Sequence, residues 1–161
     1  MIVLMWIALL VLLAYVFHDV LDNKRNPNQA LVTRHDGSIR EVELKRNGYG
    51  HYVANGEING QAVEFMLDTG ATAVVVPADL AQRLGLEYGM PIDMQTANGV
   101  IRGYMTKLRQ VSVGDIRLEN ISAYINPQEQ ADDVLLGMSF LKKIEFTQRS
   151  DTLILKQASD R

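Results

Sequence analysis

One acid stands where a carboxylate can do chemistry. In "FMLDTGATAVVVP", residues 65 to 77, a strand-like apolar run ends at Asp68, Thr69 and Gly70 follow, and a second β-branched run begins. A carboxylate between two such runs sits on a tight loop at the edge of a core. Gly70 lets the backbone turn there without a Cβ clash, and N–H groups of the loop can point at the carboxylate. Two readings fit this local pattern. Asp68 can close an Asx-turn, a common use of Asp beside Gly. It can also take or give a proton during catalysis.

Other chemistries have few residues to carry them. The chain has no cysteine, which excludes thiolate catalysis, cysteine-rich zinc sites and disulfides. The three histidines, His18, His35 and His51, are not spaced as a helical metal pair. No metal and no other cofactor is expected. Sixteen Lys plus Arg stand against nineteen Asp plus Glu, a formal net charge of -3, so nothing suggests a nucleic-acid footprint. Met66, Met90, Met94 and Met105 can line a groove, or simply fill gaps in a core.

The elements that must position Asp68 occupy most of the 161 residues, enough for one domain, or one domain and an anchor. "MIVLMWIALLVLLAYVF", Met1 to Phe17, has no charged side chain. As a helix it is about 25 Å long, at the short end for a bilayer span. No basic residue precedes it and "AYVFHDV" offers no A-x-A cleavage pattern, so an uncleaved transmembrane anchor over 1–19 is expected rather than a signal peptide. Residues 20–40 are polar, contain Pro27 and read as a linker. Lys24 and Arg25 mildly favour a cytoplasmic location for the C-terminal side of the span.

Residues 41–157 read as a β domain. "SIREVEL" alternates apolar and polar, and "YVANGEI" and "AVEFMLD" flank Asn59-Gly60. "IDMQTA", "IRGYMTKLRQVSV", "IRLENISAYI", "DVLLG" and "DTLILK" continue the pattern. Asn-Gly pairs at 47–48, 55–56, 59–60 and 98–99 are strong hairpin signals. Two short helices are expected. In "VPADLAQRLGL", Pro77 suits the start, Leu80 and Leu84 share a face and Gly85 suits the stop; "MSFLKK" carries the second. The fold class is all-β, a closed or nearly closed barrel with one or two short helices, preceded by a transmembrane helix.

Taken together, "FMLDTGATAVVVPADLAQRLGL", "TANG" and "VLLGMSFL" resemble the retropepsin-like aspartic proteases, and most closely the bacterial, membrane-anchored, single-domain group. The resemblance covers residues 48 to 156; residues 104–133 carry no motif of the family. It implies a retropepsin-like barrel acting on protein or peptide substrates. It implies that Asp68 is catalytic and that Thr69, Gly70, Ala71 and Thr72 complete the active-site loop. A flap is implied over 94–103, with Thr96, Ala97, Asn98 and Gly99 at its tip. Leu135, Leu136 and Gly137 are implied to support the loop from below. It also implies the periplasmic face of a bacterial inner membrane, against the hint from Lys24 and Arg25.

Peptide hydrolysis by this route needs two carboxylates sharing one proton. The ionised one takes a proton from water, and the protonated one donates to the scissile carbonyl. The chain has a single D-T-G. "HDGSI" at 35–39 has its Gly too early and "SDTLI" at 150–154 has none. A full dyad then requires a homodimer about a two-fold axis, one Asp68 from each chain. By resemblance, Thr69 hydrogen-bonds across that axis. Otherwise a second acid must come from within the chain, with Asp93, Asp115 and Asp133 the candidates. The reading is a membrane-anchored aspartic endopeptidase. The alternatives are a non-cleaving peptide-binding module of the same fold, which has no need of an intact "DTGAT", and a structural membrane protein with a β domain.

Overall fold

Alternating apolar and polar residues build this molecule, a computed structural model that describes residues 2–96, 99–129 and 132–158. In chain order the elements are α1 (Ile2–Arg25), β1 (Thr33–Asp36), β2 (Ile39–Lys45), β3 (Tyr52–Ile58), β4 (Gln61–Leu67), β5 (Val74–Pro77) and α2 (Ala78–Arg83). Then come β6 (Pro91–Thr96), β7 (Gly99–Val113), β8 (Ile116–Asn126), β9 (Val134–Leu136), α3 (Met138–Leu141), β10 (Glu145–Arg149) and β11 (Thr152–Ala158).

The larger sheet runs β3-β4-β9-β5-β8-β7-β6. A further pairing of β3 with β7, Glu57 opposite Ser112 and Ile58 opposite Val111, closes six of these strands into a barrel. β6 stays outside the closure and forms a hairpin arm with β7. The smaller sheet, β1-β2-β11-β10, lies against the barrel. Val42 and Leu44 of β2 are paired with Leu155 and Leu153 of β11, and all four join the barrel's apolar core with Phe65, Ile121, Ile125 and Phe140.

Local sequence explains most of the joints. Asn59 (φ 53°) and Gly60 (φ 80°) both take left-handed backbone and turn β3 into β4. The similar pair Asn55-Gly56 makes no turn and lies inside β3. Gly56 is there for closeness: a Cβ would come 2.3 Å from the Ser112 carbonyl oxygen and 2.6 Å from the Phe65 ring. α2 starts after Pro77, buries Leu80 and Ala81, and is followed by Gly85 at φ 64°.

Residues 20–40 hold more structure than their composition suggests. α1 continues through Arg25, Asn28 bridges Ala54 of β3, and β1 comes next. β1 ("TRHD") and β10 ("EFTQR") are strands that the sequence does not announce. Both lie at sheet edges, and all five residues of β10 are exposed, so no apolar alternation is required. α1 is long and apolar enough to cross a membrane, and large side chains such as Leu4, Leu10 and Phe17 stand fully outside the core.

Candidate active site

β4 delivers Asp68, and the loop it opens is held by hydrogen bonds from beneath. The Asp68 N–H donates to the Leu136 carbonyl at 3.3 Å, and the Ala71 N–H donates to the Asp68 carbonyl at 3.3 Å. The Met138 N–H donates to the Ala71 carbonyl at 2.8 Å. The Val74 N–H donates to the buried Ser139 hydroxyl oxygen at 3.0 Å. These bonds tie both ends of the loop to β9 and α3.

The pairing explains why "LLG" stands where it does. β9 inserts between β4 and β5, parallel to the first (Met66 opposite Leu135, Leu67 opposite Leu136) and antiparallel to the second (Val75 opposite Leu135). Leu136 is fully buried and Leu135 half-buried. Gly137 is required by contact: a Cβ would lie 2.2 Å from the Ala73 carbonyl oxygen and 2.6 Å from that of Ala71. So β9 passes under the loop at a distance only glycine permits.

The carboxylate faces outward from this frame. Asp68 is half-buried, and its Oδ1 accepts the Gly70 N–H at 2.8 Å. The Asx-turn therefore exists, and it leaves Oδ2 open to a further partner. Asp68 both shapes the loop and presents an oxygen. Thr69, Gly70 and Thr72 are exposed and Ala71 is half-buried. Among the described residues, the Thr69 hydroxyl has no hydrogen-bond partner within the chain.

The hairpin arm is built differently. β6 pairs with β7 from Pro91–Tyr104 to Thr96–Gly99, and the Thr96 hydroxyl donates to the Gly99 carbonyl at 2.8 Å. Gly99 sits at φ 115°, a conformation other residues rarely adopt. Ala97 and Asn98 lie outside the described residues. At the base, the Gly89 N–H donates to the Met105 carbonyl and the Met105 N–H to that of Met90, while the rings of Tyr88 and Tyr104 meet edge-on at 5.2 Å. The methionines do not form one lining. Met94 is buried against Gly103, whereas Met90 and Met105 are exposed at the base.

This arrangement has relatives. Residues 54–143 match the family described as "gag-polyprotein putative aspartyl protease". The chain belongs to the retropepsin-like aspartic protease family. A crystal structure of a retropepsin-like aspartic protease from Rickettsia conorii is 30% identical, with a TM-score of 0.65, over 81% of this chain and 97% of that one. An uncharacterized protein in the cobV 5' region of Sinorhizobium sp is 28% identical over 94% of this chain and 70% of its own length. An uncharacterized protein of Rickettsia prowazekii, RP867, is 30% identical over 89% of this chain. The present chain spans 61% of that relative's length.

In this fold the three acids named as alternatives within the chain, Asp93, Asp115 and Asp133, each face a basic side chain. Asp93 faces Arg102 at 3.9 Å on the arm, and Asp115 meets His35 at 3.0 Å on the smaller sheet. Asp133 is ion-paired with Arg25 just before β9, level with Glu64 in the middle of β4 and four residues from Asp68 along that strand. Asp93 and Asp133 face arginines, the second shared with Glu64, and Asp115 faces a histidine ring nitrogen. Two contributors escaped the sequence reading. Ser139 supplies an oxygen to β5, and its signal was a small polar residue inside "MSFL". The Arg25–Asp133 pair spans 108 positions, and no local pattern marks it.

Proposed function

We propose that this chain is an aspartic endopeptidase, anchored in a membrane by α1 and active as a homodimer in which each protomer gives Asp68 to one dyad. The observation that carries the reading is the Asp68 loop. It is clamped from below by β9 and α3, yet it turns one carboxylate oxygen and an unpartnered Thr69 hydroxyl outward. A second copy meeting this face about a two-fold axis supplies the missing acid. One proton is then shared. The ionised carboxylate takes a proton from a water as that water attacks, and the protonated one donates to the carbonyl oxygen of the scissile peptide. Thr69 joins the two loops across the axis. The β6–β7 arm closes over an extended substrate, which adds to the sheet as a strand. The protease domain faces the periplasm of a bacterial inner membrane.

Digestion of a peptide library by the full-length chain and by Asp68→Asn tests this. The substitution keeps the side-chain volume and removes the shareable proton. Cleavage should fall by about 10³-fold, within the range for lost acid–base catalysis, with an unchanged thermal midpoint. Equal cleavage by both would remove Asp68 from the chemistry. Library peptides bound but left intact by the wild type would favour the non-cleaving module.

A further inference from the structure

The end of α1 is docked into the barrel. The Asn47 side-chain amide donates to the Arg25 carbonyl at 2.8 Å. Asn26, 2% exposed, donates to Asn55 at 2.9 Å and to Glu64 at 2.8 Å. Asn28, 4% exposed, donates to the Val53 carbonyl at 2.7 Å and accepts the Lys45 N–H at 2.7 Å. Buried amides with this many partners fix a geometry, since each lost bond leaves a desolvated polar group. The Arg25 guanidinium contacts Glu64 at 2.9 Å and is ion-paired with Asp133.

These partners stand on the strands that hold the site. Glu64 is on β4, four residues before Asp68, about 13 Å at 3.3 Å per residue. Asp133 immediately precedes β9, which ends in Leu136, the acceptor for the Asp68 N–H. The helix has 24 residues. That is about 36 Å, of which the apolar run to Phe17 covers about 25 Å, so only about two helical turns stand between bilayer and barrel. Two turns, two extended side chains and four strand residues together place Asp68 within about 35 Å of the hydrocarbon boundary. A free tether of about twenty residues would have a mean reach of about 25 Å and a limit near 65 Å.

We infer that the substrates are membrane-bound polypeptides cut close to the bilayer, within about ten extended residues of their own span. This rests on the proposed peptidase and anchor. A polypeptide lying close to the bilayer is brought to the cleft by sharing the membrane. A bond held farther out on a stiff stalk is beyond reach, because the docked stem gives the barrel no slack. The inference concerns where the bond lies, and the residue preference of the cleft is a separate matter.

The chain has no cysteine, so Thr72→Cys gives a single label beside Asp68. Full-length protein in lipid nanodiscs, with that label as donor and headgroup acceptors, should give a short, narrow distance distribution. A Gly/Ser insertion of about twenty residues between Val20 and Leu21, which leaves the docking intact, should broaden it. A wild-type distribution as broad as that of the insertion variant would overturn the inference. The unlabelled chain is then given a membrane-anchored reporter bearing a sequence found in the library digestion. The sequence sits either next to the span or beyond a helical spacer of about forty residues, about 60 Å long. The near site should be cut at least 10-fold faster, and the insertion variant should close most of that gap. Equal rates from the unmodified chain would also overturn the inference. If the label is close but no peptide or reporter is cut, the peptidase reading fails and the substrate class with it, while the docking stands.

Discussion

The Asp68 loop and the β6–β7 arm are both turns between strands, yet they are held in opposite ways. The loop is tied by backbone bonds to Leu136 and Met138 and by a buried bond from Val74 to Ser139. The arm leaves the closed barrel and holds itself mainly by its own ladder and one hydroxyl bond across its tip. Val100 is 64% exposed, whereas Val74, next to the loop, is fully buried. The difference teaches how such a site divides its labour. A proton shared between two carboxylates tolerates little displacement, so the acid belongs on the part that cannot shift. On the proposed reading the arm is a cover that must open to admit a polypeptide, which suits a part with few tertiary ties.

The sharpest way to break this contrast is at Gly137. Gly137→Ala pushes a methyl toward two carbonyl oxygens that sit 2.2 and 2.6 Å from the Cβ position, and backbone cannot swing aside as a side chain can. Overpacking of this kind costs about 1–3 kcal/mol or more. A thermal midpoint lowered by several degrees, with peptidase activity lost in step, is expected by calorimetry. An unaltered midpoint would mean that β9 does not clamp the loop.

Ser139→Ala is a smaller perturbation of the same clamp. It leaves the Val74 N–H, buried and bonded to that hydroxyl, without its partner, at a cost of about 1–3 kcal/mol. Denaturant unfolding should show the midpoint falling at constant slope. Ser139→Thr, which keeps the hydroxyl, should recover part of the loss.

At the arm the expected effects separate. Gly99→Val sets a β-branched residue at φ 115°, a strained conformation, but where an added Cβ would meet nothing within 4 Å. The midpoint should shift little, while kcat/KM falls by about 10-fold through a misshapen cover. If stability fell as much as for Gly137→Ala, the arm would be part of the rigid frame and the contrast would fail.

How much of this was legible in the sequence obeys the same division. Elements whose form is set locally could be read. Pro77 and Gly85 bracket α2, Asn59-Gly60 turns β3 into β4, and "AVEFML" and "ATAVVV" flank the acid as strands. Features that depend on a distant partner could not. Asn55-Gly56 has the composition of a turn, yet Gly56 serves a close approach to Ser112. "EFTQR" becomes a strand only because β11 pairs with it. Residues 24 to 28 read as linker because their polarity suggests solvent, whereas Asn26 and Asn28 are buried and their side-chain amides donate to Asn55, Glu64, Lys45 and Val53, all in other segments. Of the loop, a turn at Asp68 and Gly70 between two strands was legible from type and order, and the roles proposed for Asp68 and Thr69 came through the family resemblance. Leu135, Leu136 and Gly137 were read through the family resemblance, and the reason for Gly137 became plain only once β9 was seen threaded beneath the loop.

The central claim is that one protomer holds half of a catalytic dyad, and mixing tests it most directly. Wild-type chains and Asp68→Asn chains are coexpressed at known ratios, so that subunits assort at random, and total peptidase activity is measured per total protein. If two Asp68 carboxylates are needed, activity follows the square of the wild-type fraction, about one quarter at equal mixing under the two-fold model. A fall to about one half, linear in that fraction, would show that each chain works alone and would contradict the shared dyad.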